Sequence, residues 1–127
     1  MRDFRKIIAW QRADDLVVAV YRVTGATFPK LEQYGLTSQM RRAAVGAAAN
    51  IAEGAGRQYL SEFRQYLYMA RGSLLEVEYY VHLTSRLGYI SEEQKANLEL
   101  AEAEVAHTLQ GFINTVEQQI ATGRKEN

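Results

Sequence analysis

The stretch SEFRQYLYMARGSLLEVEYYVHLTSRL, residues 61–87, holds no proline and one glycine, Gly72. Along it Phe63, Leu67, Ala70, Leu74, Val77 and Val81 recur with alternating gaps of four and three. That spacing returns to one face of an α-helix and does not match the two-residue period of a strand. A second series, Tyr66, Met69, Tyr80, Leu83 and Leu87, keeps the same rhythm about 110° further round. One apolar stripe is enough to bury a helix in its own bundle. Two stripes predict a long helix that packs inside its chain and against a further body. Ser73 and Glu76 fall within the second stripe. The expected interface of Tyr66, Met69, Ser73, Glu76, Tyr80 and Leu83 therefore has a polar centre.

Helical periodicity extends in both directions from this stretch. Upstream it predicts a helix over about 7–27, with Ala13, Leu16, Val17, Val20, Tyr21 and Thr24 on its buried side. Pro29 ends it, because proline disfavours the helical conformation of the preceding residue, and Lys30 to Gly35 form a loop. A second helix over about 37–54 has Thr37 or Ser38 as its cap. Met40, Ala43, Ala44, Ala47 and Ile51 occupy one side, and Arg41, Val45, Ala48, Ala49 and Ala52 another. Its polar strip is narrow, and its small residues predict close approach by a neighbouring helix. Gly54-Ala55-Gly56 is expected to break it, and Ser61 to cap the third helix, which Gly88 closes. Ser91-Glu92-Glu93-Gln94 reads as a capping box opening a fourth helix over about 92–122. Leu98, Ala101, Val105, Leu109, Phe112, Val116 and Ile120 run along that helix. Gly123 is expected to end it, and the tail Arg124 to Asn127 to fray. Short connections between four helices predict an all-α, antiparallel up-down-up-down bundle, forming one domain over residues 1–127.

With 127 residues the chain is long enough for one sizeable core. It has no cysteine, so disulfides and thiolate metal sites are excluded. No run is long and apolar enough to span a membrane. The start, Met1-Arg2-Asp3-Phe4-Arg5-Lys6, lacks the apolar core of a secretory signal, and the expected location is cytoplasmic. The net charge is zero, but residues 1–73 carry 11 Lys and Arg against 6 Asp and Glu, while residues 74–127 carry 4 against 9. Two readings of this asymmetry stay open: complementarity between antiparallel helices, and a polar assembly with one basic face.

Few residues suggest chemistry. A di-iron carboxylate bundle needs inward Glu-x-x-His pairs. Glu104 and His107 match one such pair, Glu78 and His82 nearly match another, and Asp14 or Asp15 and Glu53 supply further carboxylates. By helical angle these ligands do not converge, since His107 lies about 160° from core Val105. Gly54-Ala55-Gly56-Arg57 follows a helix and lacks the preceding strand of a phosphate loop. No base is evident for Ser73 or Ser85. The expectation is no enzyme, no metal and no cofactor. Asn50, Glu53, Arg71, Ser73 and Glu76 fall near the middle of helices two and three. They read either as a buried network that sets register or as a patch that receives a partner. Arg41, Arg42, Arg57, Arg64 and Arg71, interleaved with Tyr59, Tyr66 and Tyr68, read either as a solvated face over packed tyrosines or as contacts for single-stranded nucleic acid.

Several phrases together resemble one family. They are Trp10-Gln11-Arg12-Ala13, Tyr34-Gly35-Leu36-Thr37-Ser38-Gln39-Met40-Arg41-Arg42-Ala43-Ala44, Asn50-Ile51-Ala52-Glu53-Gly54, Gly56-Arg57, Glu62-Phe63, Ala70-Arg71-Gly72-Ser73-Leu74 and Leu87-Gly88-Tyr89. The family is that of bacterial four-helix bundles first met as proteins encoded in intervening sequences of 23S ribosomal RNA genes. The resemblance covers about residues 1–90; helix four matches only in general character. It implies a barrel-like homopentamer with a central channel and no catalytic residue. Relatives include the accessory variability determinant of diversity-generating retroelements, a basic pentamer that binds nucleic acid and a reverse transcriptase. This chain differs from it in having no net charge. The function implied is a non-catalytic oligomeric scaffold with RNA or a ribonucleoprotein as partner. The alternative is direct nucleic-acid binding through the arginines.

Overall fold

In a computed structural model, which describes residues 2–123, the periodic stretches form four α-helices. They are α1 Ile8–Thr27, α2 Leu36–Ala55, α3 Leu60–Arg86 and α4 Glu92–Ala121, with one-turn 3-10 segments at Phe4–Lys6 and Lys30–Glu32. No strand occurs among the described residues. The expectation for the tail Arg124 to Asn127 lies outside them.

The first stripe of α3 is the spine of the core: Phe63, Leu67, Ala70, Leu74, Val77 and Val81 are all buried. They join Leu16 and Val20 of α1, Met40 and Ile51 of α2, and Leu98, Val105, Leu109 and Ile113 of α4 in one cluster. Burying each large side chain contributes about 1.5–3 kcal/mol. Each helix packs on its neighbours in chain order and α4 closes on α1, while among the described residues neither diagonal pair makes a close backbone approach. Cross-helix pairs fix the directions. Arg64 meets Glu117 and Arg71 meets Gln110. Gly46 faces Ser73, and Gly54 faces Phe63 and Tyr66. Along each pair one number rises as the other falls, so the neighbours run antiparallel.

The helix ends partly depart from expectation. Neither Thr37 nor Ser38 caps α2. Instead the Glu32 carboxylate, on the preceding 3-10 turn, accepts from the Leu36 N–H at 3.2 Å. Ser61 lies inside α3, whose N-cap is Tyr59 with no side-chain bond. The capping box at Ser91 and Gln94 is present, with both reciprocal hydrogen bonds. Gly88 and Gly123 adopt φ of +75° and +70°, the left-handed C′ conformation that glycine takes without strain. Glu32 also accepts from the Tyr89 hydroxyl at 2.9 Å, and this bond raises the Tyr89 pKa. One carboxylate thus ties the α1–α2 loop to the α3–α4 loop.

The Gly54-Ala55-Gly56 stretch ends α2 as expected, at Ala55 with Gly56 as C-cap, while Gly54 itself lies in the last turn. Gly54 is buried directly against α3. A Cβ there would lie 2.7 Å from Tyr66 Cβ and 2.9 Å from Phe63 Cδ1. At Gly46 a Cβ would lie 2.9 Å from Ser73 Oγ, the end of a short side chain that can turn away.

Alanine normally gains about 1 kcal/mol over glycine in a helix. At Gly54 overpacking against α3 reverses the sign, and Gly54→Ala should lose about 1–2 kcal/mol in urea unfolding. Gly46→Ala should lose less, because Ser73 can rotate. Equal or greater stability of Gly54→Ala would show that α2 and α3 are not locked by this contact.

Candidate functional site

The five candidate arginines do not gather in one patch. Arg64 Nη1 bonds Glu117 Oε1 at 3.2 Å, and Arg71 Nη1 donates to Gln110 Oε1 at 3.0 Å, both across the α3–α4 seam. Arg71 also lies over the Tyr68 ring, 4.6 Å from its centroid. Arg57 is at the opposite α2–α3 corner, where it donates to Glu53 Oε1 at 3.0 Å and to the Tyr66 hydroxyl. These three are therefore already held by a carboxylate or a carboxamide inside the chain.

Arg41 and Arg42 differ. Arg41 Nε donates to Thr24 Oγ1 at 2.8 Å, and its guanidinium stacks on Tyr21 at 4.5 Å. Among the described residues Arg41 has no carboxylate partner, and Arg42 makes no hydrogen bond, ion pair or ring contact. Both line an open groove of about 440 Å³ between α1 and α2, together with Tyr21, Tyr34, Thr37 and Ser38. No acidic residue lines it. Tyr34 is 89% exposed. Two cations, hydroxyl donors and two aromatic faces suit a phosphate with an adjoining base. Tyr21 was expected on the buried side of α1, but it sits one residue past buried Val20 and turns outward to carry Arg41. Tyr34 and Ser38 were not singled out as site residues. An aromatic beside Gly35 in a loop was the available signal for Tyr34.

The polar network expected of Asn50, Glu53, Arg71, Ser73 and Glu76 does not form. Glu53 pairs with Arg57 and accepts from the Tyr66 hydroxyl at 3.4 Å. Residues two apart on a helix stand about 200° apart, so Arg71 faces α4 while Ser73 faces α2. Among the described residues no hydrogen bond joins Asn50, Ser73 or Glu76 to another side chain.

The second stripe of α3 is divided. Tyr66 and Ser73 flank α2, Tyr80 packs on the core, and Leu83 is half-buried. Met69 and Glu76 remain exposed. Beside them runs a row that the sequence reading missed: Tyr68, Gly72, Leu75 and Tyr79, with gaps of four, three and four. Tyr68, Met69, Leu75 and Tyr79 are 38%, 49%, 59% and 57% exposed. Four large apolar side chains on one outward face are unusual for a solvated helix.

On the α3–α4 seam Glu102 lies near Glu78 and Glu99. Partial burial first, then Glu78 and Glu99, push its carboxyl up to about 7. Among the described residues no three His, Asp or Glu side chains are placed to hold a metal ion. No described helix is long and apolar enough to cross a membrane.

The comparisons with known proteins agree with this architecture. A profile of the family described as 23S rRNA-intervening sequence protein matches residues 5–111. The chain is similar in structure to a protein of unknown function from the S23 ribosomal protein family of Bacteroides thetaiotaomicron. The TM-score is 0.78 at 21% identity, over 84% of this chain and 96% of that one. Among curated proteins none matches.

The seam carboxylates give a pH dependence. The folded protein holds the Glu102 proton more tightly than the unfolded chain, whose carboxyl titrates near 4.5. This contribution to stability is full below the unfolded value and is lost as pH rises through about 7. Glu102→Gln should remove that decline. After solvent screening the gain in thermal melts near pH 8 is about 1 kcal/mol, with almost none near pH 4. An equal effect at both pH values would mean that the carboxyl does not titrate in this way.

Proposed function

We propose that this chain, which belongs to the 23S rRNA-intervening sequence protein family, acts as a non-catalytic homo-oligomeric scaffold in the cytoplasm. The observation that carries the reading is the outward face of α3, where Tyr68, Met69, Leu75 and Tyr79 stand exposed. Covering such a face removes apolar area from water at about 25 cal/mol per Å², and a second copy is the partner always present at matching concentration. The family resemblance supplies the number, a pentamer, and leaves RNA or a ribonucleoprotein as the outer partner. Light scattering on a sizing column should give five times the chain mass. A single-chain mass at micromolar concentration would remove the scaffold reading.

The acid-free groove of α1 and α2 favours a second reading, direct binding of single-stranded nucleic acid. In it Arg41 and Arg42 take phosphates, and exposed Tyr34 offers a face to a base, while Tyr21 carries Arg41. Arg57, Arg64 and Arg71, already held by Glu53, Glu117 and Gln110, contribute less. Titrating a labelled single-stranded RNA at several salt concentrations tests it. Binding should weaken with salt, and Arg42→Ala should reduce the log–log slope by about 0.7. Absence of binding at low salt, or an unchanged slope in Arg42→Ala, would sink this reading and leave assembly untouched.

A further inference from the structure

Two glycines sit within helices without a packing role inside the chain. A Cβ on Gly72 of α3 or on Gly111 of α4 would meet nothing within 4 Å. Glycine in a helix interior is destabilising relative to alanine, so these positions weaken the isolated bundle. The α2 glycines are different: Gly46 faces Ser73, and Gly54 faces Phe63 and Tyr66. Gly72 and Gly111 have the form of close-approach sites whose partner lies outside the chain.

Each is the centre of an apolar surface, and the two surfaces are unlike. Gly72 lies in the ridge of Tyr68, Leu75 and Tyr79. Gly111 lines a groove of about 470 Å³ between α1 and α4, with Ile8, Phe112 and Thr115 along it and Lys6 and His107 at its polar edge. Among the described residues Glu76, beside the ridge, and Lys6, at the groove, have no salt bridge. Their charges are opposite. Arg71 bonds Gln110, and α3 and α4 run antiparallel, so Gly72 and Gly111 stand within about 3 Å of the same height along the bundle.

The geometry points to a head-to-tail contact between copies: the α3 ridge around Gly72 of one chain seats in the α1–α4 groove around Gly111 of the next. This rests on the scaffold reading and adds which faces meet. Because α3 and the α1–α4 groove face different directions, the contact is heterologous and leaves a ridge and a groove open at the ends of any short series. This small offset keeps the axial step small, the condition for closing a ring instead of climbing as a filament.

The absence of cysteine makes the test clean, since engineered thiols can pair only with each other. Leu75→Cys marks the ridge and Thr115→Cys the groove. Each variant is sized by light scattering. The two are then mixed, dissociated, reassembled and oxidised. The expected result is a disulfide-linked two-chain product from the mixture and none from either variant alone. A product from Leu75→Cys alone places α3 on α3 and overturns the proposal. Oligomers without any mixed product also overturn it, while the scaffold reading stands. A monomeric unmodified chain removes both. As a second check, Gly111→Leu should abolish assembly without lowering the helix content or melting temperature of the single chain. Unchanged assembly in that variant overturns the proposal.

Discussion

The closeness of α2 to α3 governs the rest of the structure. Gly54 under Phe63 and Tyr66, and Gly46 under Ser73, fix both the height and the rotation of α3. Once Phe63, Leu67 and Leu74 point inward, residues about 120–180° round the helix must point outward. Tyr68, Leu75 and Tyr79 are exposed for that geometric reason. A solvated helix would carry lysine or glutamate at those positions. The contact that builds the bundle therefore also determines which apolar surface it leaves uncovered.

What could be read from the sequence follows from how far each signal reaches. Periodicity describes a helix relative to itself, so the buried stripe of α3 and the existence of four helices were legible. The capping box at Ser91 was legible because all of its atoms come from one turn. Register between helices is not periodic information. That is why Tyr66 and Ser73 read as an outer interface although α2 flanks them, and why Arg71 and Ser73 were joined in one network although they face opposite ways. The local meaning of glycine is a break, and α2 does end within Gly54-Ala55-Gly56. The tertiary meaning of Gly54 is close approach, which needs the other helix to be known. The α1–α2 groove was half legible: Arg41 and Arg42 were identified, while Tyr21 was assigned to the core.

The uneven charge of the two halves also resolves into parts. Arg12 meets Glu104 at 3.8 Å and Arg64 meets Glu117 at 3.2 Å, so cations of the first half do pair with acids of the second. Both pairs are solvent-accessible, and such bridges contribute about 0–1 kcal/mol each. Complementarity within the chain thus uses only some of the charge. What remains is unevenly placed, with Arg71 on the α3–α4 seam bonded to neutral Gln110. Arg41 and Arg42 lie on the α1–α2 side, and Glu78, Glu99 and Glu102 lie on the α3–α4 side. Charge separated in this way shapes the field around the molecule more than it stabilises the fold.

The interior and the exterior of the bundle divide the work. Bundles that carry out chemistry inside do so with polar side chains projecting inward from facing helices. Here, among the described residues, the buried polar positions are Thr24, Thr37 and Thr84. Thr24 and Thr84 return their hydroxyl protons to their own helices, at Val20 and Tyr80. The rest of the core among the described residues is apolar. Arg42 and Tyr34 at one groove and Tyr68, Leu75 and Tyr79 on one ridge all stand outside it. A TM-score of 0.78 at 21% identity illustrates that quite different sequences satisfy the same four-helix pattern, and in this chain the two buried glycine contacts hold α3 in place within it.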